Sequence, residues 1–237
     1  SSSKNTKLAA IVTTDKCYEE NYKIKFYSEN STLGGSEPYS ASKACAEIVS
    51  KSYINNFKKK NKKIITLRAG NVIGGGDWKE NRLVPDVIHA IKSNSKLILR
   101  NPESVRPWQH VLDCLNGYLI AAEYSIKSKK TFNTWNFSPP FKNQIKVINF
   151  VNKLISRFDY SRKKIKIMRL KLYESKKLNL SSKKANKEIK WNTVLSQQNL
   201  IKFIVEWYEE YYKKKDMKYY SEKQLSDFYK IAKGKKL

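Results

Sequence analysis

Two short runs, "KLAAIVTT" at 7–14 and "KIITLRAG" at 63–70, constrain the fold more than any other feature of the sequence. Neither alternates apolar with polar positions, so neither suits a sheet with one wet face. Each reads as a strand buried on both faces, the pattern of a parallel sheet covered by helices. Between them Pro38 stands at the entrance of a segment whose apolar positions Ala41, Ala44, Cys45, Ile48, Val49, Tyr53 and Phe57 recur at helical spacing. Strand, helix, strand predicts an α/β protein with parallel strands.

The remaining pattern extends this alternation. Helices are predicted over 83–93, 111–128, 144–158 and 197–213, with a capped short helix over 181–191. Strands are predicted over 97–100 and 134–140, the second running into a turn, and 19–38 reads as a polar, turn-rich connection. Beyond residue 213 the chain is very basic and loosely patterned, and is expected to fray. No internal repeat is present.

Composition excludes several classes of function. The three cysteines, Cys17, Cys45 and Cys114, are scattered and form no C-x-x-C, so neither a disulfide framework nor a zinc site is indicated. They read as reduced thiols in the core or near a site, and no metal is expected. No run approaches the roughly 18 apolar residues of a membrane span, and "SSSKNTKLAA" is not a signal peptide. A soluble cytoplasmic protein is the expectation. The formal charge of +27 is mostly dispersed lysine, whereas phosphate and groove recognition leans on arginine. Nucleic acid is therefore not the expected partner.

"PYSASK" at 38–43 pairs Tyr39 with Lys43 at one helical turn. That spacing alone says little, because it recurs at Tyr160/Lys164, Tyr173/Lys177, Tyr211/Lys215, Tyr219/Lys223 and Tyr229/Lys233. Neither G-x-G-x-x-G nor G-x-x-G-x-x-G occurs, and "GGG" at 74–76 has the wrong flanks for a dinucleotide loop.

The words "VTTDKCY" (12–18), "LGGSEPYSASKACAE" (33–47), "LRAGNVIGGGDW" (67–78), "NRLVPD" (81–86), "VRPWQHVLDCLNGYL" (105–119) and "WNFSP" (135–139) set this pair apart from the others. In that order they resemble the extended short-chain dehydrogenase/reductase family, specifically its sugar-nucleotide dehydratases and among those the ones that act on CDP-glucose. The likeness runs over 7–140 and continues weakly through "SSKKANKEIKW" and "IVEWYEEYY". It implies the C-terminal part of a Rossmann-like parallel sheet plus a smaller mixed substrate-binding lobe. Residues 1–140 would hold the late strands and helices interleaved with lobe segments, 141–213 mainly the lobe, and 214–237 a basic tail. Family members begin with a glycine fingerprint for the dinucleotide pyrophosphate. The expectation is accordingly a truncated or split enzyme, with a complementing N-terminal half as partner and an unpaired apolar sheet edge. A homo-oligomer is expected of the complete enzyme.

The reaction this resemblance implies oxidises a hexose at C4 with NAD, eliminates water across C5 and C6, and returns the hydride to C6. Tyr39 would take the C4 hydroxyl proton, aided by the positive charge of Lys43, and both would contact NAD. Thr14, at a strand end, would bind the same sugar oxygen. Asp15 would protonate the departing C6 hydroxyl. Lys16 stands where many related dehydratases carry the glutamate that removes the C5 proton. Asn71, Arg82 and Arg106 would bind the nucleotide sugar, the arginines suiting a diphosphate. Trp78, Trp108 and Trp135 read as packing around the substrate lobe, with Trp108 near enough in sequence to Arg106 to reach the nucleotide, and His110 reads as a core histidine. Two other readings remain: an inactive remnant that keeps nucleotide-sugar or protein contacts, and a related epimerase or reductase.

Overall fold

The computed structural model describes residues 5–21, 23–56, 62–141, 144–158, 160–168 and 179–235. Phe57 and the Tyr173/Lys177 pair lie outside them. In chain order the elements begin with β1 (Leu8–Val12), a 3₁₀ turn (Asp15–Cys17), α1 (Pro38–Asn56), β2 (Lys63–Ala69) and β3 (Val72–Ile73). There follow α2 (Leu83–Lys92), β4 (Leu97–Leu99), β5 (Val105–Arg106), β6 (Gln109–His110), α3 (Val111–Lys127) and β7 (Phe132–Phe137). The rest are β8 (Ile145–Lys146), α4 (Val147–Ile155), another 3₁₀ turn (Arg162–Lys164), β9 (Ile165–Ile167), α5 (Lys183–Ile189), α6 (Gln197–Tyr212) and α7 (Met217–Gly234).

The chain forms two compact units. The first comprises Ser1–Gly70, Asp113–Pro139 and Lys177–Thr193. Its sheet has the order β1-β2-β7, all parallel, with Leu8 opposite Lys63 and Ala69 opposite Phe137. β2 is central and buried along most of its length, as its uninterrupted apolar run predicts. Ile65, Leu67, Trp135 and Phe137 on the strands pack with Cys114 and Ala121 of α3 and with Ala185, Ile189 and Trp191. Gly117 of α3 permits this closeness, because a Cβ there would fall 2.5 Å from the Phe137 ring. Among the described residues β1 is an edge strand, and Val12 on it is 52% exposed.

The second unit comprises Asn71–Leu112, Pro140–Lys176 and Val194–Leu237. Among the described residues it holds three two-stranded pairings, β3 with β6 and β4 with β9 in parallel and β5 with β8 antiparallel. Val87 and Ile88 of α2, Val151 and Leu154 of α4, and Ile204 and Tyr208 of α6 form its main core.

Three local expectations change. The helix expected over 144–158 begins only at Val147, because Ile145 and Lys146 pair with Arg106 and Val105 instead. The stretch beyond 213 is helical rather than frayed: Asp216 caps Lys218 and Tyr219, and Phe228 is buried with Val194, Leu195 and Phe203. Trp135 packs inside the sheet core of the first unit instead of within the second, whereas Trp108 packs as expected, stacking on Phe150 at 4.2 Å in the second unit's core. Cys17 and Cys114 are buried and Cys45 exposed. His110 is buried in β6, in keeping with a core histidine. No helix of the described residues is long and apolar enough to cross a membrane.

Candidate active site

In the first unit β1 gives out at Val12, and its extension enters a tight turn. Thr14 caps that turn, its Oγ1 accepting from the Lys16 amide at 3.4 Å and donating to Asp15 Oδ1 at 2.9 Å. Thr14 is 8% exposed and Asp15 9%. Burial of a carboxyl is unfavourable unless hydrogen bonds meet it, and the Thr14 hydroxyl supplies one. The end of β2 lies close by: a Cβ on Gly70 would sit 2.9 Å from Asp15 Oδ2, so only glycine leaves the carboxylate its place. Lys16 points to solvent.

The 3₁₀ turn packs on α1. Glycine also lets the loop before α1 fold close against the helix start, since a Cβ on Gly35 would meet the Ala41 amide at 2.3 Å. Glu37 caps the helix, its carboxylate accepting from the amides of Tyr39 and Ser40 at 2.8 Å. The Ser40 hydroxyl also donates to it, and these bonds, joined by the charge of Lys16, hold Glu37 below the usual carboxylate range.

Tyr39 and Lys43 stand one turn apart on α1, with the ammonium 5.7 Å from the ring centroid. Tyr39 is 50% exposed. Among the described residues neither its hydroxyl nor the Lys43 ammonium has a hydrogen-bond partner. An available phenol and an available ammonium fit a group that offers hydroxyls, as the ribose of a dinucleotide does.

Beneath the turn lies a polar network that sequence reasoning missed. Arg68, on β2, and Glu47, on α1, form a bidentate ion pair with side chains 4% and 1% exposed. Burial draws the guanidinium toward its neutral form, but hydrogen bonds and charge from Glu47, with Tyr18 adding, outweigh it and raise the pKa of Arg68. Burial drives Tyr18 upward as well, and pushes Cys17 to about 12, against the pull of Arg68 on both. The sequence did carry a signal, since Glu47 continues the four-residue series 39, 43, 47 and Arg68 is the one charge inside an apolar run.

Asn71, Arg82 and Arg106 belong to the second unit. The Asn71 carbonyl accepts from the Gln109 amide at 3.0 Å. Arg82, just before α2, reaches Asp77 at 3.0 Å across a largely exposed pair. Arg106 lies on β5, where it pairs with Ile145. The "GGGDW" word packs against α6: a Cβ on Gly75 would fall 2.1 Å from the Trp207 ring, and the Tyr208 hydroxyl donates to the Asp77 carbonyl at 2.7 Å. Trp78 sits 4.7 Å from the Tyr211 ring and edge-on to Tyr208. Among the described residues no cluster of His, Cys, Asp or Glu could hold a metal ion.

Residues 2–134 match the NAD dependent epimerase/dehydratase family. The chain is 34% identical over 231 residues to the CDP-glucose 4,6-dehydratase of Salmonella typhimurium, an alignment covering 94% of this chain and 64% of that protein. In fold it is similar to the dTDP-glucose 4,6-dehydratase of Bacillus anthracis in complex with NAD (TM-score 0.72, 21% identity, 85% of this chain and 61% of that one). It is similar also to the UDP-glucuronic acid 4-epimerase of Bacillus cereus in complex with NAD (TM-score 0.68, 18% identity, 87% of this chain and 61% of that one). The chain therefore spans less than two thirds of the length of each, and the two likenesses in structure establish a Rossmann-like α/β fold.

Proposed function

Because the chain belongs to the NAD dependent epimerase/dehydratase family, we propose that it carries the catalytic face of a nucleotide-sugar 4,6-dehydratase whose substrate is CDP-glucose. The observation that carries this reading is the buried Asp15 carboxyl, hydrogen-bonded to Thr14 on a turn packed against the helix of Tyr39 and Lys43. Loss of water from C5 and C6 needs an acid at the departing hydroxyl; inversion at C4 does not. Identity to the Salmonella dehydratase over nearly the whole chain supports the same substrate class.

Tyr39 and Lys43 would contact NAD, which when bound accepts a hydride from the sugar and later returns it. Tyr39 takes the C4 hydroxyl proton, and the Lys43 charge stabilises the phenolate that results. Thr14 bonds the same sugar oxygen. With Asp15 ionised, the Thr14 hydroxyl donates to the carboxylate and offers its lone pairs to the sugar. With Asp15 protonated, the carboxyl becomes the donor, and its proton is available to the departing C6 oxygen. Lys16 removes the C5 proton. Asn71, Arg82 and Arg106 bind the nucleotide sugar, the guanidiniums on the diphosphate.

The sequence in hand lacks the glycine fingerprint that holds a dinucleotide pyrophosphate in such folds. The test therefore incubates the chain with CDP-glucose and NAD, alone and with a strand–glycine loop–helix segment added. The expected product is lighter than the substrate by one water. A product of unchanged mass in which C4 is inverted would make the protein an epimerase, and no product in either mixture would overturn the enzymatic reading.

A further inference from the structure

The segment that bears Thr14, Asp15 and Lys16 is held at both ends by one buried ion pair. We propose that this pair, Glu47 with Arg68, is a positioning device that fixes the segment against Tyr39 and Lys43; the proposal rests on the roles given to those residues above.

Tyr39, Lys43 and Glu47 follow one another at four-residue steps along α1 and so share a face. The Glu47 carboxylate accepts from Arg68 Nε and Nη2, each at 2.9 Å, and its Oε1 accepts also from the Thr13 hydroxyl at 2.5 Å. Thr13 is the residue before the turn. Arg68 uses its remaining nitrogen on the other side, Nη1 donating to the Tyr18 hydroxyl at 2.7 Å, with the guanidinium 4.9 Å from that ring's centroid. Tyr18 is the residue after the turn, and its own hydroxyl donates to Asn136 Oδ1 of β7 at 2.7 Å. Beside the backbone bonds from the Thr13 amide to the Leu67 carbonyl at 2.9 Å and from the Gly34 amide to the Cys17 carbonyl at 3.0 Å, the pair ties the side chains at both ends of the 14–17 segment to the catalytic helix and to β2, and Tyr18 adds the link to β7.

The backbone of the segment does little to hold itself. The bonds its amides make within it, from Lys16 to Thr14 Oγ1 and from Cys17 to the Thr14 carbonyl, are both 3.4 Å, at the weak limit of a hydrogen bond, and the shorter bond from Thr14 Oγ1 to Asp15 Oδ1 at 2.9 Å joins side chains. Stability does not account for the pair either, because buried ion pairs are often replaceable by apolar residues without loss. What an apolar pair cannot supply is a forked guanidinium that fixes a carboxylate with two bonds and still donates elsewhere. Reacting groups lose rate steeply when displaced by an ångström, so a rigid attachment at this place acts on turnover.

Thr13→Val and Tyr18→Phe each delete one hydroxyl and leave the ion pair whole. In the double variant the amides of 14–17 are expected to exchange with deuterium faster by on the order of tenfold, with β2 amides unchanged. In the dehydratase assay kcat falls on the order of tenfold for each variant and KM for CDP-glucose stays within about twofold. Thr13→Ser, which keeps the hydroxyl, retains the wild-type kcat. Unchanged exchange in the double variant overturns the clamp whatever the activity. A loosened segment with unaltered kcat, or with the whole effect in KM, overturns its positioning role. A wild-type protein that makes no product counts against the dehydratase reading instead, and the exchange arm then decides the clamp by itself.

Discussion

The Asp15 carboxylate occupies the space that a side chain on Gly70 would need: a Cβ there would lie 2.9 Å from Oδ2 and 3.4 Å from Cγ. An acid at the end of one strand is thus set by the absence of a side chain at the end of the next. Gly70→Ala pushes the carboxyl off its Thr14 bond. The expected result is a fall in kcat of on the order of tenfold or more, with a stability loss of about 1–3 kcal/mol from overpacking. Turnover with CDP-glucose and urea unfolding of the same preparation measure the two effects.

Asp15→Asn keeps the shape of the side chain and removes its proton. Tyr39→Phe removes the phenol at a half-exposed position. If these groups move protons as proposed, each substitution lowers kcat by about 10²–10⁴-fold, while Tyr39→Phe changes stability by less than about 0.5 kcal/mol. Initial rates beside thermal unfolding curves distinguish this from general damage. A Tyr39→Phe protein that turns over normally would remove Tyr39 from the chemistry.

The elements most legible in the sequence are those whose pattern is local. Unbroken apolar runs marked β1 and β2 as strands, and helical spacing marked α1, α2, α3 and α6, because burial leaves its period in the chain; the burial expected on both faces holds for β2 but not for β1, an edge strand among the described residues with no residue fully buried. The two-residue strands carry no such period; Val105 and Arg106 become a strand only because Ile145 and Lys146 come to lie beside them. α7 escaped notice because its buried face is little more than Phe228 and Gln224, in a stretch crowded with lysine. In the site, the resemblance singled out Thr14, Asp15, Tyr39 and Lys43, which the fold gathers on one turn and one helix packed together. Arg68 was read only as part of the word "LRAG". Its pairing with Glu47 depends on a strand and a helix meeting, which no local pattern records.

The Glu47–Arg68 pair separates the stability of a charge from the stability of its partner. Glu47→Ala leaves a guanidinium buried without a counter-charge, and the expected cost is about 3–5 kcal/mol. Replacing both, as Glu47→Leu with Arg68→Met, removes the uncompensated charge, and the double variant is expected to recover most of that loss. Denaturant midpoints for the two singles and the double complete the cycle. A double variant as unstable as Glu47→Ala would show that the hydrogen bonds to Thr13 and Tyr18, rather than the charges, hold this region.

His110 makes stability fall on mild acidification. Burial lowers its pKa from 6.5 to about 4, and Nδ1 accepts from the Leu112 amide at 3.2 Å, a bond that the neutral imidazole alone can make. Below pH 6.5 the unfolded chain takes up a proton that the folded protein refuses until about pH 4. Stability contributed by the neutral ring is therefore present above 6.5 and is lost progressively as pH falls toward 4, by about 3 kcal/mol in all. His110→Gln lacks the titrating ring, so urea unfolding at a series of pH values should show a shallower slope for the variant than for the wild type within that window. The comparison cancels the carboxylates common to both proteins. Parallel slopes would mean that the folded protein admits the proton at an ordinary pKa, which would require the ring to open to solvent on the native side of the transition.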